Sequence, residues 1–208
     1  MVLNKITNEK DIKLCVIMVG LPARGKSFIS QKIVRYLSWL SINCKCFNVG
    51  NYRRVLGINN PKYGFFDFDN VNSYEIRENA LKLAFEDMLS WFDSDLNNNQ
   101  VAIIDATNST RARRNWLIEN CEKNNVYPMF LESWCDDKET ILANVKDIAI
   151  TSPDYDGTDL KIAEDDFMKR IENYQNVYST LNTTDDKDIT FVKLINISHE
   201  IIINKIQT

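Results

Sequence analysis

Residues 20 to 27 of the sequence, Gly20-Leu-Pro-Ala-Arg-Gly-Lys-Ser27, have the spacing G-x-x-x-x-G-K-[S/T] of a phosphate-binding loop. In this pattern, successive backbone N–H groups surround the β-phosphate of a nucleotide. The lysine reaches the β- and γ-phosphate oxygens, and the serine hydroxyl binds Mg²⁺. The sequence therefore predicts an Mg-ATP site formed by Gly20, Ala23, Arg24, Gly25, Lys26, Ser27 and Phe28.

A second acidic group is predicted at Asp105, which ends the apolar stretch Val-Ala-Ile-Ile. P-loop kinases place a carboxylate there to orient Mg²⁺ or its water. The chain continues through Thr107 to Arg111, Arg113 and Arg114. Guanidinium groups match phosphate oxygens, so this segment could bind an anion. Alternatively, these arginines form a solvated helix face, because only some directions on a helix can face a site.

Further basic residues follow the second predicted strand or lie on later helices. Arg53 and Arg54 follow that strand, Arg77 lies on the next helix, and Arg170 and Tyr174 have the spacing i, i+4 of one helix face. Each of them alone is also typical of a protein surface. Because the chain has a net charge of −4, arginines concentrated after strand ends favour a second pocket for a phosphorylated acceptor.

Hydrophobic patterning predicts the elements that position these residues. Strands alternate with helices, which is typical of an α/β fold with a mostly parallel β-sheet and helices on both faces. Ligands of such sheets bind beyond the carboxyl ends of the strands. We predict one domain over residues 1–208 with a core at about 13–197, and a long loop at 50–72. The predicted strands are 13–19, 44–49, 101–104, 129–132 and 190–197, and the predicted helices are 28–40, 73–92, 110–124, 138–147 and 161–178.

The bulk composition excludes several classes of protein. An acidic chain of pI about 5.2 is not built to coat nucleic acid or an anionic membrane. The longest apolar run, 14–19, is far below the roughly 20 residues that span a bilayer, and residues 1–12 are too charged for a signal peptide. The five cysteines include no C-x-x-C pair. We therefore predict a cytoplasmic protein without membrane or nucleic-acid partners.

The sequence resembles the kinase domain of the 6-phosphofructo-2-kinase/fructose-2,6-bisphosphatase family. The resemblance covers most of residues 14–195, and the Pro-Ala-Arg of the phosphate loop and the SPDY segment are its most specific features. The matching segments are GLPARGKS at 20–27, FNVGNYRR at 47–54, DATNSTRARR at 105–114, ESWCDD at 132–137, SPDY at 152–155 and DDFMKRIENY at 165–174.

The resemblance implies a P-loop kinase fold and ATP-dependent phosphorylation of the 2-hydroxyl of fructose 6-phosphate, which yields a regulator of glycolysis. It implies that Lys26, Ser27 and Asp105 serve Mg-ATP, that Lys26, Asp105 and Thr107 are catalytic, and that the chain forms a homodimer. Asp105 is the candidate general base if one exists. The sugar phosphate would be held by Arg53, Arg54, Arg77, Thr107, Arg111, Arg170 and Tyr174.

The sequence departs from the family pattern in two places. Family members usually have a phosphate- or sugar-binding lysine where this chain has Ala149. Lys146 lies three residues earlier, and we expect its ammonium to reach the same space if the segment is helical. The family's phosphatase half uses a histidine in an Arg-His-Gly setting, whereas His199 stands in Ser-His-Glu. We therefore expect no phosphatase domain in this chain.

Two other functions stay open from the sequence. One is a polynucleotide 5′-hydroxyl kinase or another P-loop small-molecule kinase, since those enzymes also carry Asp-Ala-Thr-Asn followed by arginines. The acidic pI and the lack of an extended basic and aromatic track disfavour an oligonucleotide acceptor. The other is a degenerate nucleotide-binding protein, which the alanine at position 149 suggests.

Overall fold

The computed structural model describes residues 12–94, 99–197 and 199–206, which form alternating strands and helices. Most of the predicted elements are confirmed to within a few residues at each end. In chain order they are β1 (Lys13–Val19), α1 (Lys26–Trp39), β2 (Asn43–Asn48), α2 (Val49–Val55), α3 (Val71–Asp93), β3 (Gln100–Asp105), α4 (Arg111–Lys123), β4 (Tyr127–Trp134), α5 (Lys138–Thr151), α6 (Leu160–Gln175), β5 (Phe191–Ile195) and β6 (Glu200–Asn204).

The six strands form one sheet in the order β2-β3-β1-β4-β5-β6. The first five of these are parallel to one another, and β6 is antiparallel to β5 at the edge. Residues 15–19 of the central strand β1 are all buried. A strand covered on both faces is expected to be apolar throughout, which explains its continuous hydrophobic run.

Helices cover both faces of the sheet, as predicted. Ile17 faces one side, where it packs with Leu81 of α3 and Leu117 of α4. Met18 faces the other side, where Ile33 of α1 packs. Alternate residues of a strand point to opposite faces, so these contacts place α1 opposite α3 and α4. Within the described residues, no helix is both long enough and apolar enough to cross a membrane.

Most of the helices begin at a side-chain cap. The side chains of Asn70, Thr110, Asp137 and Asp159 accept hydrogen bonds from backbone N–H groups in the first turns of α3, α4, α5 and α6. Helix α1 instead begins after Gly25, which has a left-handed φ of 73°. Glycine has no side chain that could cap the helix. The N-terminus of α1 is therefore left for another hydrogen-bond acceptor.

The prediction of a long loop at 50–72 is wrong in part. The segment contains most of α2 and a 3₁₀ turn, Tyr63–Phe66. Both elements are too short to show a helical period in the sequence, and their stability comes from contacts with distant residues. The predicted strand 190–197 is also too long, because left-handed Asn196 and Ile197 end β5 and turn the chain into β6.

Glu132 near the end of β4 fastens a distant segment to the sheet. Its carboxylate is fully buried and accepts hydrogen bonds from the Tyr178 hydroxyl, the Thr180 hydroxyl at 2.8 Å and the Leu181 N–H at 3.0 Å. The Lys193 ammonium lies 3.4 Å away. Since Glu132 pairs with Val19, the residue before the phosphate loop, this network supports one wall of that loop.

We predict that Glu132→Gln destabilises the protein by about 1–3 kcal/mol. The side-chain NH₂ group of glutamine would replace one carboxylate oxygen and would face groups that are themselves hydrogen-bond donors. Urea unfolding monitored by circular dichroism measures the change in unfolding free energy. Glu122→Gln on the exposed face of α4 is the matched control. Equal stabilities of the two variants would contradict the role assigned to this network.

Candidate active site

The phosphate loop is built at the carboxyl end of β1 by a close backbone approach. Gly20 has a φ of 143°, and a Cβ there would lie 2.4 Å from the Ser133 carbonyl oxygen of β4. The Gly20 N–H donates to the Thr107 carbonyl at 3.1 Å. Only glycine allows this conformation and this contact, so the loop is fixed between the strands on either side of β1.

Lys26 is folded back onto the phosphate loop. Its ammonium donates to the Leu21 carbonyl at 2.6 Å, and the residue is buried. Burial lowers the pKa of Lys26 to about 7, and the negative charge of Asp105 opposes this effect. A bound phosphate group would raise this pKa again by favouring the charged ammonium, so the position suits an anionic ligand.

Asp105 ends β3 beside the last residue of β2. The two strands pair in register at Asn48 and Asp105, and the Asn48 amide donates to the Asp105 carboxylate at 2.7 Å. Asp105 is 4% exposed. Asp105 is thus a buried carboxylate that is close enough to raise the pKa of Lys26. The sequence predicts the second acidic group of the nucleotide site at this residue.

The residues of the nucleotide loop also fit Mg-ATP. The start of α1 presents N–H groups without a side-chain cap from the described residues, and Ser27 is exposed in its first turn. A helix N-terminus and a hydroxyl are suitable partners for a phosphate and for Mg²⁺. Ser27 and Asp105 are therefore the residues that would hold the metal.

A cavity of about 90 Å³ lies at the carboxyl edge of the sheet and is rich in arginine. The structure brings together five of the residues predicted to bind the sugar phosphate. The cavity is lined by Arg53, Arg77, Thr107, Arg113, Arg170 and Tyr174, together with the smaller or apolar residues Val49, Gly50, Phe66, Ala80 and Ala106. Four guanidinium groups around one small space are suited to a phosphate.

Asp154 of the SPDY segment is the principal counter-charge of this cluster. Its carboxylate lies 2.5 Å from Arg53, 2.8 Å from Arg54 and 3.4 Å from Arg170. Burial raises the pKa of this carboxyl, but the surrounding guanidinium groups outweigh burial and hold the pKa below its usual value. Glu78 is the counter-charge of Arg113, and the two groups lie 3.4 Å apart.

Two of the residues predicted to bind the sugar phosphate do not line the cavity. Arg111 is exposed and makes an ion pair with Asp185 at 2.8 Å, because its position on α4 turns it away from the cavity. Arg54 lies behind the cavity, against Asp154. Their proposed contact with the sugar phosphate stays a prediction that this geometry does not favour.

Two residues of the predicted nucleotide set also point elsewhere. Arg24 is buried and donates to the carbonyls of Cys135 at 3.1 Å and Pro22 at 3.0 Å. The Phe28 side chain is 64% exposed on α1. Arg24 therefore hydrogen-bonds the phosphate loop to the segment after β4. Any contact of Phe28 with ATP would be at the surface.

Arg113 lines the cavity although the sequence reasoning did not assign it to the ligand. Its Nη2 donates to the Arg77 carbonyl at 3.3 Å, which ties α4 to α3. The sequence showed three arginines at the start of one helix but not the rotation of that helix. The Thr110 cap, which accepts from the Arg113 N–H at 3.3 Å, sets where α4 begins and so which arginine faces inward.

Ala149 is buried in a cluster that also contains Ala23 of the phosphate loop and Tyr155 of the SPDY segment. A longer side chain at this position would therefore begin close to the nucleotide loop. Lys146 is exposed on α5, away from this cluster. The hypothesis that Lys146 replaces the missing lysine stays untested, and the exposure of its side chain does not favour it.

Comparisons with known proteins define the class of the fold. The described elements resemble the solved structure of Chaetomium thermophilum Kti12 in complex with ADP-AlF3, with a TM-score of 0.54 and 14% identity over 87% of this chain and 88% of that chain. The chain has the P-loop kinase fold, as predicted.

The sequence comparisons give the family. The model of the 6-phosphofructo-2-kinase family matches residues 2–208. A Saccharomyces cerevisiae protein named fructose-2,6-bisphosphatase is 56% identical over 204 residues, which is 98% of this chain and 45% of that protein. A Caenorhabditis elegans 6-phosphofructo-2-kinase/fructose-2,6-bisphosphatase is 42% identical over 87% of this chain and 40% of its own length. The chain belongs to the 6-phosphofructo-2-kinase family and spans less than half the length of these relatives.

We predict that Arg113→Ala weakens binding of a sugar phosphate at least about tenfold, because it removes a charge-assisted donor from the cavity wall. Arg111→Ala is the matched control and is expected to change the affinity less than about twofold, since its partner is a surface carboxylate. Isothermal titration of both variants with fructose 6-phosphate measures the difference. The reverse ranking would favour the original assignment of Arg111.

We also predict that Asp154→Asn lowers the unfolding free energy at pH 7 by about 3 kcal/mol, because it leaves buried guanidinium groups unpaired. The pKa of Asp154 is lowered by folding, so its contribution is present above the ordinary aspartate pKa and is lost as the pH falls below it. The difference between wild type and variant should therefore shrink below about pH 4.

Urea unfolding at a series of pH values measures this difference. Asp156→Asn, two residues away and exposed, is the control and should leave the unfolding free energy nearly unchanged at every pH. An Asp154→Asn penalty that stays constant down to pH 2 would show that the carboxylate's charge is not what stabilises the cluster.

Proposed function

We propose that the chain binds Mg-ATP at the phosphate loop and transfers the γ-phosphoryl group to the 2-hydroxyl of fructose 6-phosphate. The single observation that carries this proposal is the position of Thr107. Its carbonyl accepts the Gly20 N–H of the phosphate loop, and the same residue lines the arginine cavity. The nucleotide loop and the anion cavity are therefore two sides of one site.

The residues then have distinct roles. Lys26 would contact the transferred phosphoryl group. Ser27 and Asp105 would hold Mg²⁺, and the chemistry that this ion would supply is neutralisation of charge on the phosphate oxygens. The cavity arginines Arg53 and Arg170 bind the 6-phosphate and so fix the sugar. Positioning and charge neutralisation supply most of the catalysis in phosphoryl transfer, so a strong general base is not required.

The size and charge of the cavity favour a small acceptor over an oligonucleotide. Four arginines line a cavity of about 90 Å³, and Phe66 and Tyr174 form part of the same lining. A nucleic-acid track would instead extend along the surface with aromatic groups for successive bases. Homodimer formation and a cytoplasmic location stay predictions from the sequence.

The proposal predicts that the purified chain forms ADP with fructose 6-phosphate and Mg-ATP, and that ³¹P NMR shows a product phosphorylated at carbon 2. Lys26→Ala should reduce this rate at least about a hundredfold, because it removes the cation that contacts the transferred group. Free fructose, gluconate and a 5′-hydroxyl oligonucleotide are the control acceptors. Turnover of the oligonucleotide instead of the sugar phosphate would overturn the proposal.

A second candidate is a module that binds both ligands without transferring phosphate. Two observations favour it: the alanine at position 149 packs in the same cluster as Ala23 of the phosphate loop, and the Saccharomyces cerevisiae relative is named for its phosphatase reaction alone. Under this alternative the wild-type chain binds nucleotide and sugar phosphate but shows no turnover.

Ala149→Lys separates the two candidates. If the missing lysine prevents transfer, this variant should gain a turnover that the wild type lacks, with little change in ligand affinity, because it adds a cation near the phosphate loop. Ala143→Lys, on the exposed part of α5, is the matched control. Wild-type activity that Ala149→Lys does not increase would exclude the second candidate.

A further inference from the structure

We propose that Phe66 is a positioning residue whose ring face holds the guanidinium groups of Arg53 and Arg170 in the orientation that binds the acceptor's phosphate. This inference rests on the proposed function for the identity of the ligand. It concerns the 3₁₀ turn Tyr63–Phe66, a segment that the sequence patterns do not reveal.

The geometry centres on one buried ring. Phe66 is 2% exposed and lines the cavity. The Cζ of Arg170 lies 3.7 Å from the centre of its ring, and the Cζ of Arg53 lies 5.8 Å from it. The face of an aromatic ring carries negative potential, so a guanidinium group over the face is attracted to it.

This attraction compensates for hydrogen bonds that the two arginines lack. Nε of Arg170 and Nη1 of Arg53 are buried without a hydrogen-bond partner among the described residues. Asp154 satisfies other nitrogens of both groups. The Phe66 ring stabilises the two guanidinium groups through its face and, unlike a second carboxylate, does not neutralise their charge. The arginines therefore stay available to an anion.

The same turn also holds a third arginine through its backbone. The Phe66 carbonyl accepts from Nη1 of Arg77 at 3.4 Å, and the Asp67 carbonyl accepts from Nη2 of Arg77 at 3.1 Å. Three of the four cavity arginines thus contact one short segment. A displacement of this segment would move all three.

Helix α6 fixes the turn in place. The Tyr63 N–H donates to the Asp166 carboxylate at 3.0 Å, and the Asn173 amide donates to the Tyr63 carbonyl at 2.9 Å. Arg170 lies on the same helix between these two residues. The ring and the arginine that stacks on it are therefore held by one rigid element, and the arrangement is formed before any ligand arrives.

The first test compares Phe66→Leu with the matched control Phe85→Leu, since Phe85 is equally buried but packs against Trp116 in the main core. Isothermal titration of the full chain measures the affinities for fructose 6-phosphate and for a non-hydrolysable ATP analogue. Phe66→Leu should weaken sugar-phosphate binding between about 3-fold and about 30-fold and leave nucleotide binding unchanged. Phe85→Leu should leave both affinities unchanged.

The second test keeps the shape of the ring. Phenylalanines with increasing numbers of fluorine atoms, placed at position 66, weaken the negative potential of the ring face stepwise. The logarithm of the dissociation constant for fructose 6-phosphate should rise in proportion to the number of fluorines. A flat series would overturn the inference, because a ring that acts only by packing would not respond.

A ligand-free readout separates this inference from the proposed function. In ¹H–¹⁵N NMR, fluorination at position 66 should accelerate hydrogen exchange of the Arg170 Nε–H in the absence of any ligand. If fructose 6-phosphate does not bind the wild type while this response is seen, the acceptor assignment fails and the role of the ring stands. An Arg170 signal that is insensitive to fluorination overturns the role of Phe66.

Discussion

The arrangement of the site depends on how several arginines are kept charged in a small, largely buried space. Arg53, Arg77 and Arg113 are each packed into the same cavity wall although a buried charge without a partner is costly. The carboxylates of Asp154 and Glu78 offset part of the charge of the four cavity arginines, and the cluster stays net positive. Backbone carbonyls accept from Arg77, and the ring face of Phe66 lies against Arg170. The cavity can therefore attract an anion within a protein whose overall net charge is −4.

The phosphate loop and this cluster share their supports. Gly20 touches β4 through Ser133 and touches the segment after β3 through Thr107, while Asn48 connects the end of β2 to Asp105. Helix α2 begins directly after Asn48 and carries Arg53. Consequently Asp105, which is expected to hold the metal, is hydrogen-bonded to Asn48, the residue from which the helix that carries Arg53 begins.

Sequence patterns predicted the features that neighbouring residues of the chain determine, which are the phosphate loop and strand β1. The spacing from Gly20 to Ser27 and the apolar run of β1 are complete within a few residues, and both appear in the structure as expected. The choice between Arg111 and Arg113 depended on the rotation of α4. The contact of Arg53 with Asp154, 101 positions away, and the turn at Phe66 depend on tertiary packing, for which no short pattern exists.

The loop and the cavity together form the proposed single site for a nucleotide and a sugar phosphate. A crystal structure of the chain with Mg²⁺, a non-hydrolysable ATP analogue and fructose 6-phosphate tests it most directly. We expect the 6-phosphate within hydrogen-bond distance of Arg53, Arg113 and Arg170, and the 2-hydroxyl facing the γ-phosphate. A sugar phosphate bound elsewhere, with the arginine cavity unchanged beside a bound nucleotide, would contradict it.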